Sequence, residues 1–211
     1  MKSVVILVNS SSVLDIDEKY LDNSKFDIYC TDGGANYAHK LDIIPNVIIG
    51  DLDSIQPEIL DFFKTKNVEI ILYQNQNISD LELAIKYAES KKTKQILIAG
   101  GVSGDPDHAL SNFTILANKE YENLNLSIIG KKSRTFFLGE QKDFILKKED
   151  GESLSLIPIC NSIVSLAGTK WELKNSEILV GSSLTIRNRI ISEEAVIEVT
   201  SGSVFVCQQN N

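Results

Sequence analysis

The chain has 211 residues, 43% of them apolar, and a formal charge of −8 at pH 7. That length and composition suffice for one generous core or two modest ones, and the acidic balance argues against a partner such as nucleic acid, whose binders carry a basic face. No uninterrupted apolar run of about 18 residues is present to span a membrane, and the segment from Met1 to Val8 is too short and too soon followed by polar residues for a signal peptide. A cytoplasmic protein is the expectation. Cys30, Cys160 and Cys207 are far apart and odd in number, so they read as reduced packing residues rather than a disulfide framework or zinc site.

In chain order, Val4 to Val8, Phe26 to Cys30, Val47 to Ile49, Val68 to Leu72, Gln95 to Ala99 and Leu126 to Ile129 have the short apolar character of buried strands. Helical patterns separate several of them. A helix from Tyr37 to Leu41 is expected, capped by Asn36 or Asp32. Another begins at Ser79-Asp80-Leu81-Glu82, a capping-box pattern, with Leu81, Ala84, Ile85 and Ala88 on one apolar stripe. A third follows Pro106, with Asp105 suited to its cap and Leu110, Phe113 and Ala117 to its buried face. Strands alternating with helices predict a mostly parallel sheet covered on both faces.

The pattern changes at residue 139, which places the domain boundary between 1–138 and 139–211. Beyond it, Phe144 to Leu146, Leu154 to Ile157, Ile163 to Leu166, Leu184 to Ile186, Ala195 to Thr200 and Val204 to Cys207 are short strand candidates. Ser201-Gly202 fits a hairpin turn. Such spacing predicts a small antiparallel sandwich or barrel, with a disordered tail from Gln208 to Asn211. The fold class is therefore an α/β domain followed by an all-β antiparallel domain.

Four short acidic motifs in the first half each follow an apolar run. They are Asp32-Gly33-Gly34-Ala35-Asn36, Gly50-Asp51-Leu52-Asp53-Ser54, Ser79-Asp80 and Gly104-Asp105-Pro106-Asp107-His108. Ligands in open α/β sheets bind beyond the carboxyl ends of strands, where all four motifs fall. If the chain stays extended at Leu52, the side chains of Asp51 and Asp53 point the same way and can share one hard cation such as Mg²⁺, and through it polyphosphate. Gly50 permits close backbone approach, and Ser54 adds a hydroxyl. The two glycines after Asp32 can form a turn whose N–H groups face an anion. Each motif also has a purely structural reading, as a loop turn or helix cap.

Taken together in this order, these motifs, with Ile49 and Ile55 flanking the second, Leu83-Ala84 extending the third and Asn112 following His108, resemble thiamine pyrophosphokinases. The resemblance continues through Gly168-Thr169-Lys170-Trp171-Glu172-Leu173, Gly181 and Asn188, so it spans nearly the whole chain. It implies an N-terminal α/β domain, a C-terminal β-sandwich, and a homodimer with active sites where one subunit's first domain meets the other's second. The implied reaction is Mg²⁺-dependent transfer of pyrophosphate from ATP to the thiamine hydroxyl, giving thiamine diphosphate and AMP.

The resemblance assigns Asp51, Asp53 and Asp80 to catalysis and Mg²⁺. It places Asp32, Gly33, Gly34, Asn36, Ser54, Asp107 and His108 beside the nucleotide, and Trp171, Thr185 and Asn188 against thiamine. The chain departs from the family at Gln76 and Asn77, which replace a lysine and an aspartate, and at Asp105, which replaces an arginine. Arg187 and Arg189 stand where the family tends to have serine and glutamate. A metal-dependent nucleotide or sugar phosphohydrolase, or a non-catalytic thiamine or nucleotide binder, would use many of the same residues.

Overall fold

The computed structural model describes residues 2–74 and 77–210 and divides into two compact units, Met1–Lys131 and Lys132–Asn211. Among the described residues, the first unit runs β1 (Ser3–Leu7), β2 (Phe26–Thr31), α1 (Asp32–Lys40), β3 (Val47–Gly50), α2 (Pro57–Thr65), β4 (Glu69–Leu72), α3 (Asp80–Ser90), β5 (Gln95–Ala99), α4 (Pro106–Ile115) and β6 (Asn125–Ile129). Its strands are all parallel, in the order β6-β5-β1-β2-β3-β4. The expected strands are present, with ends shifted by one residue at most.

Alternation along β1 shows why these runs are so uniformly apolar: both faces are covered. Val5 and Leu7 join a cluster with Ile28, Cys30, Ala35, Ile48 and Phe63, while Val4 and Ile6, also fully buried, point to the opposite face. There α3 packs on β1, β2 and β3 through Leu81, Ala84, Ile85 and Ala88, the stripe expected from the sequence. Burying each such Ile or Leu stabilises the fold by about 1.5–3 kcal/mol.

Helix α1 starts at Asp32 rather than Tyr37, and its cap is Thr31, whose Oγ1 accepts the Gly34 N–H (3.2 Å). The glycines account for the difference. A Cβ on Gly34 would overlap the Leu7 carbonyl oxygen, and one on Gly33 would overlap the Asn9 side chain, so their lack of side chains lets the first turn lie directly on the end of β1. Alanine normally favours a helix over glycine, yet Gly34→Ala is expected to destabilise the chain by about 3 kcal/mol or more. That corresponds to a midpoint lowered by roughly 6–12 °C in thermal unfolding. An unchanged midpoint would remove this packing role.

Helix α4 also differs from expectation. It begins at Pro106 with Asp105 in the cap position, but Asp105 makes no side-chain capping bond, no residue of the helix is fully buried, and Leu110 is 64% exposed. No helix among the described residues is long and apolar enough to cross a membrane.

The second unit contains β7 (Ser133–Leu138), β8 (Lys142–Lys147), β9 (Ser153–Pro158), β10 (Ser162–Ala167), β11 (Leu173–Ile178), β12 (Asn188–Arg189), β13 (Glu194–Ser201) and β14 (Val204–Gln209). Two antiparallel sheets, β12-β9-β14-β7 and β11-β10-β13-β8, enclose a core that includes Leu154, Leu156, Val164, Leu166, Ile197, Val199 and Val206. This is a β-sandwich. The division between units falls at 131/132 rather than 138/139 because β7 pairs with β14 along its length. Ser201-Gly202 joins strands of different sheets and is a crossover, not a hairpin turn. The segment 184–186 is not a strand, and Gln208 and Gln209 belong to β14: Gln208 is buried and its Nε2 donates to the carbonyls of Lys147 (2.7 Å) and Gly151 (3.0 Å), while Asn211 lies outside the described residues.

Candidate active site

The strand order turns back at β1, whose neighbours β2 and β5 lead away in opposite directions, and such a switch point opens a crevice beyond the carboxyl ends of the strands. A cleft of 440 Å³ lies there. Its wall includes Asp32, Asp51, Ser54, Asp80, Asp105 and His108, together with Asn9, Ser10, Tyr73, Ser103 and Asn112.

Oxygens of Asp32, Asp51 and Asp53 lie within 4.8 Å of one another. The two aspartates of the second motif converge for a different reason from the extended geometry expected. Leu52 has φ of +67°, which folds the segment into a tight turn, and Asp51 Oδ1 accepts the Asp53 N–H (3.1 Å). Ser54 Oγ donates to Asp53 Oδ1 (2.9 Å), so this hydroxyl orients a carboxylate. Asp32, only 2% exposed, accepts the Gly33 N–H on Oδ1 and the Ser54 N–H on Oδ2 (2.9 Å).

Asp80 completes the group from the first turn of α3, whose Ser79 cap accepts the Glu82 N–H (3.2 Å). Gly50, at φ of +150°, is the reason the carboxylates can gather: a Cβ there would sit 3.0 Å from Asp32 Cβ and 3.1 Å from the Asp80 carboxyl. Burial, followed by the charge and hydrogen bond of Asp32 and the charges of Asp51 and Asp53, pushes Asp80 up to about 7. Four carboxyl groups of one sign form a site suited to a hard divalent cation, and oxygen donors of this kind are those Mg²⁺ takes.

Other expected residues are placed differently. Gly33, Gly34 and Asn36 are not on the cleft wall; the glycines pack α1 on β1, and Asn36 bonds the loop after Asp53. Asp107 is exposed and accepts the His108 N–H (2.8 Å), whereas His108 lines the cleft. Asn112 donates to the Gly101 carbonyl (3.1 Å), and Ser10 and Ser103 share a hydroxyl hydrogen bond (2.9 Å), which ties together the loops after β1 and β5. Asn9, Ser10 and Ser103 were missed from the sequence. For Asn9 and Ser10 the signal was the polar run starting at Asn9 soon after a buried strand, and for Ser103 its place just after Gly100-Gly101 beyond β5. Gln76 lies outside the described residues.

In the second unit, Trp171 is 56% exposed and is not a core residue. Asn188 is buried and holds it by the backbone: Nδ2 donates to the Trp171 carbonyl (2.7 Å), and Oδ1 accepts the Trp171 N–H (3.2 Å). Lys170 Nζ lies 4.6 Å from the indole centroid, a cation–π contact. Thr185 is also buried, its hydroxyl donating to the Leu156 carbonyl (2.5 Å). Arg189 donates twice to Glu152 Oε2 (3.1 and 2.8 Å), which gives this departure from the family a structural partner.

A family model described as "Thiamin pyrophosphokinase, catalytic domain" matches residues 18–128, more than half the chain, and one described as "Thiamin pyrophosphokinase, vitamin B1 binding domain" matches residues 143–204. The chain belongs to the thiamine pyrophosphokinase family. A thiamine pyrophosphokinase of Bacillus subtilis is 28% identical over 172 residues, covering 80% of each chain. One of Caenorhabditis elegans is 24% identical, covering 99% of this chain and 90% of that one. The fold agrees as well. The crystal structure of thiamine pyrophosphokinase from Bacillus subtilis superposes with a TM-score of 0.87 at 23% identity over the whole of both chains. The yeast thiamin pyrophosphokinase structure gives 0.80 at 18% identity, covering 99% of this chain and 86% of that one.

Proposed function

We infer that this chain transfers pyrophosphate from ATP to the hydroxyl of thiamine, forming thiamine diphosphate and AMP. The observation that carries this reading is the convergence of Asp32, Asp51 and Asp53 beside Asp80 at a strand-end cleft, in a chain whose two units both match the family. Asp51, Asp53 and Asp80 would hold Mg²⁺, with Asp32 bracing their loop. When bound, Mg²⁺ supplies positive charge against the triphosphate and orients the bond that breaks.

The thiamine hydroxyl oxygen attacks the β-phosphorus, the bond from that phosphorus to the oxygen shared with the α-phosphorus breaks, and AMP leaves with that oxygen. The hydroxyl proton passes to a carboxylate of the cluster. His108 and the neutral donors Asn9, Ser10 and Ser103 offer hydrogen bonds to the nucleotide along the same wall. The exposed indole of Trp171 is a platform for the aminopyrimidine ring, with Asn188 and Thr185 supporting its loop and the strand behind it. The chain acts as a homodimer, with the carboxylates of one subunit and the tryptophan of its partner serving one thiamine. The reaction belongs in the cytoplasm, where Cys30, Cys160 and Cys207, all free, stay reduced.

Quantitation of AMP and thiamine diphosphate after mixing the protein with ATP, Mg²⁺ and thiamine tests this. Equal amounts of both products that require all three components are expected. Inorganic phosphate formed without thiamine would assign a hydrolase instead. No product with thiamine still quenching Trp171 fluorescence would leave a binding protein.

A further inference from the structure

Resting on the assignment of Asp51 and Asp53 to the cation, we propose that Asn36 is a positioning residue that sets the geometry of the metal-holding loop, and that its substitution weakens the metal site without touching the nucleotide.

The loop needs a clamp. Leu52 at φ of +67° occupies left-handed backbone space that a branched L-residue rarely adopts, and such a conformation persists only where the surroundings over-determine it. Within the loop, the Asp53 N–H bond to Asp51 closes the turn. From outside, the backbone between Ser54 and Gln56 is held by three hydrogen bonds. One is the Ser54 N–H to Asp32. The other two come from Asn36: its Nδ2 donates to the Ser54 carbonyl (2.8 Å), and its Oδ1 accepts the Gln56 N–H (3.0 Å).

The chemistry of the amide suits this task. One end donates and the other accepts, so a single side chain satisfies a carbonyl and an N–H two residues apart, as a neighbouring strand would. A carboxylate could not donate to Ser54, and a hydroxyl is too short to span both. The anchor is also rigid, because Asn36 follows Ala35, fully buried, on a helix whose first turn is pressed against β1 by Gly33 and Gly34. Asn36 itself is absent from the cleft wall, so its influence on catalysis has to travel through the loop it holds, whose Asp51 and Ser54 are on that wall.

The test measures Mn²⁺ binding to the full chain from the electron paramagnetic resonance signal of free Mn²⁺, with neither nucleotide nor thiamine present. Wild type, Asn36→Ala and Asn36→Ser are compared, each with a thermal unfolding midpoint and a steady-state profile. Outer-shell partners of metal ligands typically tune affinity by about 10–100-fold, so both variants are expected to bind Mn²⁺ at least about tenfold more weakly. Turnover should return when metal is raised in proportion, with KM for the metal–ATP complex unchanged.

A raised KM for ATP with unchanged Mn²⁺ affinity would overturn the proposal in favour of direct nucleotide contact. A lowered midpoint with unchanged Mn²⁺ affinity would overturn it in favour of a purely structural role. If Asn36→Ala does not fold, Asn36→Ser decides by the same comparison. A wild-type chain that binds no Mn²⁺ overturns the carboxylate assignment and this proposal with it, whereas wild-type binding matched by both variants overturns the positioning role alone.

Discussion

Asp51→Ala is expected to lower formation of AMP and thiamine diphosphate by about 10³-fold or more, the scale on which removal of a principal electrostatic group acts. Its carboxylate lies on the cleft wall within reach of Asp32 and Asp53, so its loss removes a ligand the site cannot replace from elsewhere on the loop. The fold should survive. Asp51 is only partly buried, and its one internal bond, from the Asp53 N–H, closes a surface turn. Removing one of several crowded like charges also relieves repulsion in the metal-free chain. Product quantitation beside a thermal melt checks both halves, and unchanged turnover would sink the metal assignment.

Asp80→Asn should separate activity from stability in opposite directions. In the metal-free chain the carboxyl is pushed up from its ordinary 3.8 to about 7. Between those values the folded state holds a proton that the unfolded state has released, so stability falls as pH rises through the window from about 4 to about 7. Above it the full penalty persists. Asp80 is only partly buried, so water screens the carboxyl and the effect is discounted to about 1 kcal/mol, or roughly 2–4 °C for a chain of this length.

Asparagine carries no such penalty. The metal-free variant is therefore expected to melt above wild type at pH 8 and level with it at pH 4, while turnover falls about 100-fold. Mg²⁺, which binds the deprotonated carboxylates, should raise the wild-type midpoint more at pH 8 than at pH 5. A variant less stable than wild type at pH 8 without metal would show that Asp80 serves the fold rather than opposing it. Residues that destabilise a fold in the service of a site are a familiar exchange, and the crowding around Gly50 is where this chain makes it.

The strands of the first unit were legible because each is buried on both faces, leaving nearly continuous apolar runs that only a covered parallel sheet produces. The α3 stripe was legible for the same kind of reason, since a 3.6-residue period needs no partner to be seen. The second unit was harder. Strands β7 and β11 carry adjacent polar residues that are half-buried or exposed, Ser133 and Arg134 in one and Lys174 and Asn175 in the other, which weakens the apolar signal, and the role of β7 depends on a partner about 70 residues away. Ser201-Gly202 has the composition of a hairpin turn, and composition cannot tell whether the strands it joins pair with each other.

In the site, the acidic motifs were found by type and by position after strands, both local properties. What each residue touches was not local. The Leu7 carbonyl and Asn9 that lie against Gly34 and Gly33, and the Trp171 backbone that the Asn188 amide holds, are all contacts between segments separate in the sequence. Apolar period and motif order are carried along the chain, so the α/β-then-β architecture, the family and the acidic motifs could be read there. Which polar groups face the cleft, and which hold the loops that do, could not. A hydrogen bond between distant segments depends on where folding brings both partners, and no spacing along the chain records that.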